Sequence, residues 1–277
     1  MRSILRVTPW ERISVWRRIL GAILRVSTSF CLLGVPIWIF GPPISVAIAS
    51  RWEGRRVPAV KVSPVPLSDY SVSNAPGTVL SYFGYEFEVP WNGGFQEKVG
   101  NSMVQIKFQS GQDLIFSVPR IQEGFLNELV QDESLHMKTL GPLFGDLMRR
   151  SAYDQYATLL HTTPSSVRAL GPRNEANRDL TLLTLKAITI GPGLETGAFS
   201  FQFSDKRGFQ VGDPRKAKRV DLAVFDLGKG RVEFICGAAR GSVTLSQAEI
   251  NRILKTVHPT KKEGAVASSA GTSATLR

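Results

Sequence analysis

Three histidines, His136, His161 and His258, are the residues best suited to acid–base or metal chemistry. They are far apart in the chain, and none has a ligand-type side chain four positions on, so no metal site is read from them. His161 follows Tyr153 and Asp154 on one stretch, "YDQYATLL", and Ser165 comes just after it. Hydroxyl, imidazole and carboxylate are the parts of a hydrolytic trio. Pro164 should break the helix between His161 and Ser165, however, and the chain has no nucleophile elbow.

Two glycine-containing stretches bear on phosphate chemistry. "GPGLETG" (191–197) lacks the spacing of a dinucleotide loop and is expected as a hairpin between two strands, so no helix N-terminus would meet a phosphate. "DLGKGR" lacks the first glycine and the final Ser/Thr of a nucleotide loop, and reads as a tight hairpin. No cofactor is implied. Cys236, in "RVEFICGAA", has no basic neighbour to lower its pKa and reads as a buried strand thiol. No enzyme signature survives; the enzyme alternative is a site assembled from scattered residues, with Tyr153, Asp154 and His161 as candidates.

The chain has 277 residues and a formal charge of +11, unevenly spread. Residues 1–25 hold six arginines against Glu11. Elsewhere the most basic stretch is 205–219, "DKRGFQVGDPRKAKR", expected as a loop held outside the sheet by Gly208, Gly212 and Pro214. Lys206, Arg207, Arg215, Lys216, Lys218 and Arg219 there form a candidate contact for an anionic lipid surface. The stretch lacks the aromatic interleaving of a nucleic-acid interface, and no nucleic-acid partner is expected.

What would position these residues begins with the N-terminus. "TPWERISVWRRILGAILR" carries a capping box and apolar residues at helical spacing opposite Arg12, Arg17, Arg18 and Arg25, a basic amphipathic segment over residues 1–25. Residues 26–49 contain no charge. As a helix they extend roughly 36 Å, enough to cross a hydrocarbon core of about 30 Å. Arg17, Arg18, Arg25, Arg51 and Trp52 are placed for the two membrane interfaces. The reading is a transmembrane anchor over 26–50 with a cytoplasmic N-terminus, the C-terminal domain lying in a periplasm or outside the cell. The rival reading is a signal peptide cut after Ala49, where Ala47 and Ala49 form a small-x-small pattern.

Residues 51–76, rich in Pro and Ser, are expected as a tether, and 261–277 as a disordered tail. Between them, 77–260 reads as an α+β domain, an antiparallel sheet packed by helices. "GYEFEVPW", "MVQIKF", "LIFSV", "LTLLTLKAITI", "AFSFQFSD", "RVDLAVFDL" and "RVEFICGAA" read as strands. "FLNELV", "LFGDLMRR" and "YDQYATLL" read as helices, with another short helix from Thr163 and Pro164 to Gly171 and Pro172. Ser246 and Glu249 box the start of a final helix striped by Ile250, Ile253, Leu254 and Val257.

The strand "GYEFEVPWNG", a hairpin, a helical middle, meandering strands and the closing "SQAEINRILKTVHP" resemble the PsbP-like α/β/α sandwich domains over residues 80–258. The resemblance implies a small lumenal or periplasmic accessory module that binds rather than catalyses. Together these features lead to the expectation of a membrane-anchored accessory or binding protein, its partner an envelope protein or an anionic lipid surface.

Overall fold

The computed structural model describes residues 58–119, 126, 140–167, 173–191, 193–227, 230–238 and 244–260. The amphipathic segment, the transmembrane anchor with Arg17, Arg18, Arg25, Arg51 and Trp52, and the expected tail lie outside these residues. Among the described residues no helix is long and apolar enough to cross a membrane.

The fold is α+β. Among the described residues the eleven strands are β1 (Val65–Pro66), β2 (Thr78–Tyr82), β3 (Tyr85–Val89), β4 (Phe95–Val99), β5 (Met103–Phe108), β6 (Gln112–Ser117), β7 (Ala198–Gln202), β8 (Arg207–Val211), β9 (Arg219–Phe225), β10 (Val232–Ala238) and β11 (His258–Pro259). Helices with described bounds are α1 (Leu140–Met148), α2 (Ala152–His161), α3 (Arg173–Thr189) and α4 (Gln247–Thr256). Eight strands form one sheet in the order β1-β7-β8-β9-β10-β6-β5-β4, and β11-β3-β2 form a second. Every pairing is antiparallel except β1 with β7.

Strand alternation divides the large sheet between two cores. In β9, Val220, Leu222 and Val224 share a cluster with Ile250, Ile253, Leu254 and Val257 of α4 and with Phe87 and Val89 of the small sheet. Ala223 and Phe225 turn the other way, to Tyr156 and Leu160 of α2. A third cluster joins the helices themselves through Phe144, Leu159, Leu182 and Leu185. Tyr85, Phe87 and Val89 are buried in β3, as are Val104, Ile106 and Phe108 in β5, as period-two reading expects. The capping box at Ser246 forms as expected.

Several elements differ from the sequence expectation. "LTLLTLKAITI" is not a strand but the second half of α3. Its threonines favour strands by branching, yet the hydroxyls of Thr181, Thr184 and Thr189 each donate to a carbonyl four residues back, which satisfies them within a helix. "GPGLETG" therefore joins a helix to a strand, not two strands. Residues 164–166 make a single turn, not the start of a helix. The basic stretch is not one loop: Arg207–Val211 is β8, inside the sheet. Gly208 is there because a β-carbon would lie 2.1 Å from the Ala223 carbonyl oxygen, so only glycine lets β8 approach β9.

The second half of the expected tether is bolted to the domain. Val60 is fully buried, and the Leu67 amide donates to the Ser200 carbonyl at 2.8 Å. Asn251 Nδ2 donates to the carbonyls of Asp69 and Ser71, and Arg252 to those of Ser73 and Ala75. The prolines of this stretch lack amide donors, but its carbonyls are free to accept from α4. That is why a segment without periodicity is still ordered.

Candidate functional site

A cleft of about 470 Å³ runs between α2 and α3. Asp154, Ala157, Thr158 and His161 recur at i, i+3, i+4, i+7, one face of α2, and Glu175, Arg178 and Asp179 line the opposite wall. Arg150, Thr162 and Ser166 also line it. Both signs of charge are present, and part of each is spent locally. Asp154 accepts from the Ser151 hydroxyl at 2.7 Å while Ser151 caps α2, and Arg178 pairs with its neighbour Asp179 at 3.2 Å. Such a lining favours a polar, mixed-charge ligand or partner segment over an apolar one.

The three residues of the enzyme alternative separate into two environments. Asp154 and His161 share the cleft. Tyr153 faces the sheet, stacked on Phe209 with centroids 5.0 Å apart, and the Arg207 guanidinium lies 3.9 Å from its ring centre. Burial raises the Tyr153 phenol above its ordinary pKa, against the opposing charge of Arg207. Ser165 bonds Thr163 at 2.9 Å, and the serine in the cleft is Ser166. The hydroxyl that meets His161 is one the sequence did not suggest: Ser63 Oγ, 3.2 Å from Nδ1.

Behind the cleft wall lies Lys186, fully buried in α3. Its Nζ donates to Val62 O at 2.6 Å, Leu160 O at 2.5 Å and Thr162 O at 2.7 Å. Three donors meet three acceptors, and two of these carbonyls belong to the C-terminal end of α2, where a cation is favoured. Burial lowers the Lys186 pKa to about 8. Lys206 repeats the device at α4, with Nζ donating to Val257 O at 2.6 Å and Lys255 O at 3.1 Å. Asp205 lies 3.3 Å away; burial lowers the Lys206 pKa, and this carboxylate partly restores it.

Neither lysine is singled out by composition. Lys186 stands in a buried helical stripe with Leu182, Leu183 and Ile190, a signal that a strand reading of 180–190 conceals. Lys206 is thereby removed from the proposed anionic contact. The other five basic residues are accessible but mostly paired: Arg207 with Asp226, Arg215 and Lys216 with Asp213, Arg219 with Asp221. Burial alone would raise the Asp213 carboxyl, but the Arg215 hydrogen bonds and the charges of Arg215 and Lys216 together hold it below the ordinary range.

His258 is exposed, 3.6 Å from Glu86, and His136 lies outside the described residues. Cys236 is fully buried, and burial pushes its thiol far above the reactive range. No group of three or more metal-ligating side chains occurs among the described residues. Comparison with protein families, curated proteins and solved structures returned no match.

Proposed function

We propose that this chain is a single-pass membrane protein that displays its α+β domain outside the cytoplasm as an accessory or binding module. The anchor reading is carried by the uncharged run of residues 26–49, set between arginines. The start of the domain adds to it. Residues 50–57 are all that separates the run from the first described turn, Pro58–Lys61. Eight extended residues reach at most ~28 Å, so the domain would stand close to the bilayer. Helices against both faces of the large sheet support the reading of an α/β/α sandwich like the PsbP-like modules.

The cleft between α2 and α3 is the face proposed to receive a partner, an envelope protein offering polar side chains of both signs. Arg215, Lys216, Lys218 and Arg219, around the turn after β8, are the narrower set proposed to touch an anionic lipid surface. Protease added to intact cells should digest the domain, whereas a domain protected until the membrane is broken would contradict the orientation.

One observation favours an envelope enzyme: Asp154 and His161 line one cleft, with Ser63 against His161. Such chemistry also needs a carboxylate that orients the imidazole; Asp154, on the same helix face, accepts from the Ser151 hydroxyl. A cleaved, soluble periplasmic form is tested by N-terminal sequencing, which would then begin at Ser50.

A further inference from the structure

The strap formed by residues 58–76 is fastened in two different ways. From Val65 onward it is held at many points: β1 pairs with β7, Leu67 is buried, and Asn251 and Arg252 bind carbonyls along its length. Its first turn, Pro58–Lys61, packs against α3, but among the described residues few polar contacts fasten it. Val60 is buried, Ser63 meets His161, and the Val62 carbonyl is bound by a single nitrogen, Lys186 Nζ. The same nitrogen binds Leu160 O and Thr162 O, the backbone on both sides of His161. Lys186 thus joins the chain's entry into the domain to the wall of the cleft, through one atom.

We propose that residues 58–63 are a detachable latch, fastened by Lys186 and by the Ser63–His161 contact, which opens without unfolding the domain. In the closed state the entry segment lies against the end of α2. In the open state the first turn leaves α3 and exposes Val60, Val62 leaves Lys186, Ser63 leaves His161, and the fold remains pinned from Val65 onward. Two consequences follow from the geometry. Six more residues join the linker, adding up to ~20 Å to its reach, which under the anchor reading lets the domain move away from the bilayer. His161, a cleft residue, also loses its strap partner, so whatever draws His161 into the cleft favours opening, and opening favours that ligand in return.

Lys206 supplies the contrast. It too is buried, but it binds two carbonyls rather than three and pairs with Asp205; it ties the turn before β8 to the end of α4, and among the described residues it makes no hydrogen bond to the strap. Loosening Lys206 should therefore leave the latch closed.

The test is hydrogen exchange of the full chain, read peptide by peptide, in wild type and in Lys186→Met and Lys206→Met. In wild type the amides of 59–63 should exchange at least about tenfold faster than those of β9 and β10, through an opening insensitive to low denaturant, as local openings are. Lys186→Met should speed 59–63 by about a further tenfold and leave α4, β9 and β10 nearly unchanged. Lys206→Met should not speed 59–63. Equal protection of 59–63 and the core in wild type would overturn the latch even where Lys186→Met does not fold. So would a Lys186→Met protein whose exchange rises uniformly, or not at all. None of these readouts depends on whether residues 26–49 cross a bilayer, which membrane extraction decides separately.

Discussion

Lys186 Nζ lies 2.6 Å from the Val62 carbonyl oxygen, an ammonium deep in one helix holding the chain where it enters the domain. All three acceptors of Lys186 are carbonyls, and no carboxylate forms an ion pair with it among the described residues. Replacing it by methionine keeps the volume and orphans three carbonyls. A buried carbonyl left unsatisfied costs about 1–3 kcal/mol, but water can reach part of this site once the strap loosens. Because the strap opens locally, Lys186→Met should lose no more than about 1 kcal/mol in global urea unfolding, the larger change falling on the exchange of the strap. A loss above about 3 kcal/mol would show that these bonds hold the whole fold and not the strap alone.

The pH dependence of Lys186 has a definite sign. Its folded pKa, about 8, lies below the ordinary lysine value of 10.5 because burial disfavours the ammonium. Between these two values the unfolded chain binds more protons than the folded one, so stability rises with pH there. Wild type should gain stability relative to Lys186→Met from pH 8 to about 10. A difference that is flat or falling over that range would mean that the carbonyls hold the amine protonated.

Gly208→Ala should be severe. The added carbon would sit 2.1 Å from Ala223 O and 2.5 Å from the Phe201 ring, in the middle of the β8–β9 pairing. Relief requires the strands to part, and a loss of more than about 3 kcal/mol is expected. Near-normal thermal unfolding of this variant would contradict the placement of 207–211 in the sheet.

Ser246→Ala removes the side chain that accepts from the Glu249 amide and donates to its carboxylate. Loss of such a cap costs about 1 kcal/mol. Chemical denaturation should show that loss, with the m-value unchanged.

How much of this was legible in the sequence depends on where the deciding interaction is local. The α4 cap and stripe are encoded within a dozen residues, and the alternation of β3 and β5 within six. Residues 180–190 were not legible, because an alternating Leu/Thr pattern satisfies a strand equally well until helix neighbours 173–179 and the i−4 threonine bonds are counted. β8 was concealed by its charges: Lys206 and Arg207 read as solvated, but one is buried on carbonyls and the other lies over Tyr153. The cleft was half legible. Asp154 and His161 share a helix face by spacing alone, whereas Ser63 and Lys186 reach His161 and its flanking carbonyls only through tertiary packing.

The proposed anionic contact has its own measurement. Arg215, Lys216, Lys218 and Arg219 remain exposed, but Asp213 and Asp221 neutralise much of their field, so any attraction falls below the ~1 kcal/mol per residue of unpaired charges. The full chain with Arg215→Glu and Lys218→Glu should bind anionic vesicles less than wild type at low salt. Equal sedimentation of the two would remove these residues from the membrane surface.

The central claim is that residues 26–49 remain in the protein and hold it in a bilayer. Washing isolated membranes with alkaline carbonate tests this directly, because peripheral proteins leave and spanning ones do not. The account predicts full-length chain, with its N-terminal residues intact, in the membrane pellet. Full-length chain in the supernatant would contradict it.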